Sequence, residues 1–79
     1  MPTTTERIAG KVRGLAAEHR LTQQRLAGLL GLSRTSLVAR INGRVPFSAP
    51  EIHALAAALD EPIDRFFPDP ARQPAKETT

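Results

Sequence analysis

An all-α fold is predicted, a compact five-helix bundle, on three observations. An apolar residue, a hydroxyl residue and a second apolar residue four positions on recur as Leu21-Thr22-Leu26, Leu32-Ser33-Leu37 and Phe47-Ser48-Ile52. This is the hydrophobic staple with its N-cap, which sets the angle at which a chain enters a helix. The stops are as legible: Gly31 and Gly43 can take the left-handed conformation that ends a helix, and Pro62 lies just past Leu59. No segment alternates apolar and polar residues with the period of a strand.

The elements follow in order. Thr3 and Glu6 have the spacing of a capping box, and Ile8, Val12 and Leu15 form one stripe of an amphipathic helix over about 4–19. Gly10 and Gly14 weaken it by roughly 1 kcal/mol each relative to Ala, so packing must compensate. Helix 2 is expected over about 23–30, helix 3 over about 34–42 and helix 4 over about 49–59, where Glu51 completes a second capping box with Ser48. A short fifth helix, about 62–67, carries Ile63, Phe66 and Phe67. The core is expected to hold Leu26, Leu30, Leu37, Ile52, Leu55 and Leu59. Residues 1–67 are thus one domain. The tail 68–79, with three prolines and almost no apolar content, is expected to be disordered.

Composition excludes several functions. There is no cysteine among the 79 residues, so no disulfide framework, Cys-type zinc site or thiol nucleophile exists. His19 and His53 are too few for a His-based metal site without carboxylate help, and they read as surface or cap residues. Ser33 and Ser48 read as caps, not nucleophiles. No metal, cofactor, small-molecule ligand or enzymatic activity is expected. No apolar run is long enough to span a bilayer and the N-terminus lacks a hydrophobic signal core, so a soluble, cytoplasmic protein is expected, with no membrane partner. No ligand-sensing or self-cleaving module is expected.

Charge supplies the positive clue. The net charge is only +3, but from His19 to Pro50 there is no acidic residue, while Arg20, Arg25, Arg34, Arg40 and Arg44 all fall there. A basic middle on a mildly acidic frame suits a polyanion. Charge alone does not separate such a face from a solvated basic surface.

Helices 2 and 3 are joined only by Gly31-Leu32-Ser33, a link so tight that it forces a sharp crossing. The string Leu21-Thr22-Gln23-Gln24-Arg25-Leu26-Ala27 through Gly31-Leu32-Ser33-Arg34-Thr35-Ser36-Leu37 resembles the Cro and phage-repressor helix-turn-helix family, the XRE type. Ile41-Asn42-Gly43-Arg44 and the helix Glu51 to Asp60 match family members too, so the resemblance covers roughly 6–67. It implies a bundle of the phage-repressor DNA-binding type, with the second helix of the pair in the major groove of double-stranded DNA.

Helical phase supports this independently. With Leu37 at zero, Ile41 lies near 40° and Val38 near 100°, facing the core, while Thr35, Ser36 and Ala39 fall between about 160° and 260°. Small and hydroxylated residues there let the backbone approach a groove. Arg34 is suited to guanine O6 and N7, and Thr35 and Ala39 to a thymine methyl or a base edge; Ser36 and Arg40 complete the base-contact set. By resemblance, Gln23 meets a phosphate at a positive helix terminus, and Asn42 and Arg44 hold the duplex backbone. Arg25, and more weakly Arg20, join them. One departure stands out: many family members have an apolar residue where Arg40 stands and a polar one where Ile41 stands. Either Arg40 lays its stem along the core and snorkels, or helix 3 is rotated slightly.

One helix-turn-helix unit covers one half-site, so a homodimer, at least on DNA, is expected. Phe66 and Phe67 are the candidate interface residues, one of them closing the core and the other surplus, with the 43–48 loop as a further contributor. The expected function is a small Cro-like repressor of phage or prophage type that occludes a promoter. The alternative is a DNA-binding antitoxin or protein-interaction module whose tail folds onto a partner; the tail offers only Ala71 and Ala75 as apolar anchors. RNA is disfavoured because no Tyr or Trp exists and no Phe lies in the basic face to stack bases.

Overall fold

The computed structural model describes residues 2–68. Four α-helices, α1 (Thr4–Glu18), α2 (Gln23–Leu30), α3 (Arg34–Ile41) and α4 (Ala49–Leu59), precede a 3-10 turn at Ile63–Phe66. Among the described residues there is no strand, and no helix is long and apolar enough to cross a membrane. The all-α class stands, with one correction: the fifth helix is a single 3-10 turn. Its bonds are Arg65 N–H to Pro62 O and Phe67 N–H to Asp64 O. Pro68 then forces Phe67 into extended backbone, at φ −119° and ψ 153°, so no further turn can form. The tail beyond Pro68 lies outside the described residues.

Every α-helix starts the same way. Thr3, Thr22, Ser33 and Ser48 have extended backbone, and each hydroxyl accepts from the N–H three residues on, at 3.1 to 3.2 Å. Both predicted capping boxes close: Thr3 N–H donates to Glu6 Oε1 at 2.7 Å and Ser48 N–H to Glu51 Oε1 at 2.9 Å. The staples close as well. Leu26, Leu37 and Ile52 are buried, and Leu21, Leu32 and Phe47 pack partly buried against the same cluster.

Every α-helix also ends the same way. A left-handed residue is followed by an N–H that reaches back five positions: Leu21 to Ala16 O, Leu32 to Ala27 O, Arg44 to Ala39 O and Glu61 to Ala56 O. These are Schellman closures. Their left-handed residues are Arg20, Gly31, Gly43 and Asp60, only two of them glycine.

The core joins Val12 and Leu15 of α1, Leu26 and Ala27 of α2, Leu37 and Ile41 of α3, Ile52, Leu55 and Ala56 of α4, and Phe66. Leu30 and Leu59, expected inside, are partly buried at its margin. Along α1 the buried stripe is Ala9, Val12 and Leu15, with Ile8 only half-buried. Helix α2 packs on α3 and α4, and α1 packs on α3 and the 3-10 turn. Phe66 is corrected as an interface residue: it is 0% exposed within a single chain and closes the floor of the core. Phe67 faces outward at 41% exposure.

Candidate nucleic-acid interface

The site is built on α3, and three devices fix that helix. Ser33 caps its start. Leu37 and Ile41 are buried behind it. At its far end the Arg13 guanidinium of α1 donates to the Ile41 carbonyl. A cation there satisfies an open acceptor and suits the negative end of the helix dipole. Nothing near Arg13 in the sequence signals this role, which depends on a contact 28 positions away.

What α3 leaves outside is small and polar. Arg34 and Thr35 are exposed, and Ser36, Val38 and Ala39 are half-buried. The first turn of α2 lies beside the first turn of α3, with Arg34 Nη2 3.4 Å from Gln23 Oε1. Two candidates from different helices are thereby brought together. Arg25, Asn42 and Arg44 are exposed. Gly43, left-handed at φ 81°, folds the chain back so that the Arg44 and Val45 N–H groups both reach Ala39 O. Asn42 and Arg44 are thus anchored at the C-terminal end of α3.

No ion pair joins Arg25, Arg34 or Arg44 to a carboxylate among the described residues. Acidic groups serve another seam instead. Glu61 lies 2.8 Å from His19 and 2.9 Å from Arg65, and Arg65 reaches Glu18 at 3.2 Å, which ties α1 to the segment after α4. The contacts with His19 and then Arg65 hold the Glu61 carboxyl below its ordinary value. No cluster of three or more His, Asp or Glu is placed for a metal among these residues.

Arg40 stands apart from the other candidates. Its Nε donates to Glu51 Oε1 at 3.1 Å and its Nη1 to the Ser36 carbonyl at 3.0 Å. Only 20% of its side chain is exposed. The guanidinium is thus folded back onto the protein, and Leu37 and Ile41 are inside, as the helical phase read from the sequence has them. Glu51 was legible in the sequence only as a cap. Partial burial pushes its carboxyl up, but the Ser48 N–H and the Arg40 guanidinium outweigh that and leave it below its ordinary value.

Comparison with known proteins gives a consistent picture. A family model described as helix-turn-helix matches residues 13–66. The fold is similar to the restriction-modification controller protein C.AhdI from Aeromonas hydrophila, at 30% identity and a TM-score of 0.71, over 80% of this chain and 96% of that one. It is similar to a hypothetical transcription factor, NHTF, from Neisseria, at 22% identity and a TM-score of 0.74, over 98% and 86% of the two chains. A transcriptional regulator from Listeria innocua aligns at 18% identity and a TM-score of 0.69, over 90% and 69%. The last two likenesses speak for the fold alone. No curated protein matches the chain closely enough to count as a relative.

Proposed function

The chain belongs to the XRE-type helix-turn-helix family of DNA-binding regulators, and from that premise we propose that it is a sequence-specific repressor of the Cro-like kind. It binds a two-fold operator in double-stranded DNA as a homodimer and blocks the promoter by occupying it. One observation carries the reading. The capped helix α3 turns a small, polar outer side to solvent, amid Arg25, Arg34 and Arg44, which no carboxylate among the described residues neutralises. An α-helix fits the major groove, and a side without bulk lets its backbone come close.

Roles divide by reach. Arg34, at the first turn of α3, reads guanine, while Thr35 and Ala39 meet base edges or a thymine methyl and Ser36 flanks them. Gln23, Arg25, Asn42 and Arg44 grip phosphates on either side and set the register. Arg40 is left out of the base-reading set because its guanidinium is already engaged. Likeness to a restriction-modification controller supports a regulator, whereas the antitoxin alternative needs a tail that anchors a partner, and the tail offers only Ala71 and Ala75 as apolar residues.

Selection from a random duplex pool, read by sequencing, tests this directly. It should return a two-fold site with half-sites about one helical turn, some 34 Å, apart. On that site Arg34→Ala should cost about 1–3 kcal/mol and relax preference at one base pair. Arg44→Ala should weaken all duplexes alike and lower the salt slope by about one. Identical behaviour of the two variants on selected and random duplexes would contradict this division of roles.

A further inference from the structure

We propose that Glu51 limits the salt-dependent grip of this interface on any duplex: it holds the Arg40 guanidinium on the protein, in the place a DNA phosphate would otherwise take. The proposal rests on the DNA-binding reading above and deepens it. Arg40 projects about 40° around α3 from Ser36, at the edge of the outer side. It is the one long cation in the last two turns of that helix. Left to itself it would find the nearest anionic oxygen of any duplex, whatever the bases, because phosphate contacts carry no sequence information.

The geometry withholds it. Glu51 Oε1 is fixed before Arg40 arrives, since it already accepts the Ser48 N–H at the start of α4. A carboxylate with its rotamer set loses little further freedom on pairing. Arg40 Nε meets that same oxygen, and Nη1 reaches the Ser36 carbonyl, so two arms of the fork are engaged. Exposure of the two side chains is 20% and 16%. A pair so placed is screened by salt much less than a surface pair. One positive charge is thereby subtracted from the strip that meets the backbone, while Arg34, Thr35 and Ala39 are left to meet the bases. Binding to random DNA loses one counterion-releasing contact. Binding to a selected site loses the same contact, so affinity falls for both alike.

Glu51→Gln tests this, because glutamine keeps the side chain a capping box needs while removing the charge. Binding would be measured from about 50 to 200 mM salt on two duplexes of equal length, the site selected by the wild-type protein and a scrambled version. For the scrambled duplex the log–log salt slope should steepen by about 0.9, an extra factor of roughly 3.5 in affinity across that range. The selected site should show the same steepening, so that the ratio of specific to random affinity stays as it was. Adding Arg40→Met to Glu51→Gln should return the slope to its wild-type value.

An unchanged slope on both duplexes in a Glu51→Gln protein that keeps its helical circular dichroism overturns the assignment. Arg40→Met alone is an independent check that does not alter the cap. It should leave the random-duplex slope as it was, and a drop of about 0.9 would mean that Arg40 was on a phosphate all along. Failure of the wild-type protein to prefer any duplex is a different result: it removes the DNA reading itself, whatever Glu51 does.

Discussion

Gly43 carries two constraints at once. Its φ of 81° is a conformation that L side chains rarely adopt, and a Cβ built there would lie 2.9 Å from Glu6 Cγ and 3.2 Å from Glu6 Cα. Glu6 cannot swing away cheaply, because its carboxylate is tied to Thr3 N–H in the α1 capping box. Gly31, at φ 66°, carries only the first constraint, since nothing lies within 4 Å of its missing Cβ. Gly31→Ala should therefore cost about 1–2 kcal/mol, the penalty for a left-handed alanine. Gly43→Ala should cost clearly more, by roughly 1 kcal/mol or above, because of the added overlap with backbone. Urea unfolding of both variants measures the difference, and equal costs would show that the α1 contact yields freely. The glycines were legible in the sequence because their chemistry announces the turn. Arg20 and Asp60 do the same work and were not, because a non-glycine residue at positive φ is imposed by the closure around it and leaves no mark in its own side chain. Arg40 and Glu51 were each legible singly; that they meet depends on how α4 crosses α3.

At the level of elements, short helices need their ends more than their middles, since α2, α3 and α4 have only two or three turns each over which to spread the cost of nucleation. Here the ends are uniform, and that uniformity is why helix positions could be read to within a residue from staples and glycines. The 3-10 turn could not, because the apolar spacing of Ile63, Phe66 and Phe67 suits a helix and only the pull of Pro68 on Phe67 decides otherwise. Helix α4 links two carboxylates to acid stability. Glu51 in its first turn and Glu61 just past its end are both held below the ordinary value of 4.5. A group whose folded value is depressed binds more protons when unfolded. Its contribution is present above about pH 4.5 and is lost as pH falls through the folded value. Thermal midpoints should hold steady with respect to these groups above that pH and fall below it. The fall should be shallower in a Glu51→Gln, Glu61→Gln double variant, in which neither group titrates. Calorimetric melts at half-unit steps from pH 6 to pH 3 check this, and an equally steep fall in the variant would assign acid sensitivity elsewhere.

At the scale of the whole molecule, an exposed apolar surface stands apart from α2 and α3. Phe67 and Ile63 are exposed by 41% and 46%, and Phe67 borders an open groove of about 530 Å³ with Gly10, Gly14 and Leu15 of α1. Two adjacent aromatics could not be ordered from the sequence, because which one turns inward depends on the phase of a single 3-10 turn. With Phe66 inside, the proposed homodimer has Phe67 as its expected aromatic anchor. Its loss should cost the monomer little, since a side chain already two-fifths exposed loses less than the 3–5 kcal/mol of a buried phenylalanine. A central aromatic anchor of a dimer is worth about 2 kcal/mol or more, roughly thirtyfold in the dissociation constant. Phe67→Ala should therefore shift the monomer–dimer midpoint in sedimentation equilibrium, on the selected duplex or without it, by at least tenfold while moving the thermal midpoint by only a few degrees. Gly14→Ala separates the groove from the helix that forms it. Nothing beyond its chain neighbours and the helix's own backbone lies within 4 Å of the added methyl, so the monomer should gain about 1 kcal/mol of helix propensity. If the partner packs into this groove, the same methyl must weaken the dimer. A Gly14→Ala protein that is both more stable and equally dimeric would place the second copy on another face.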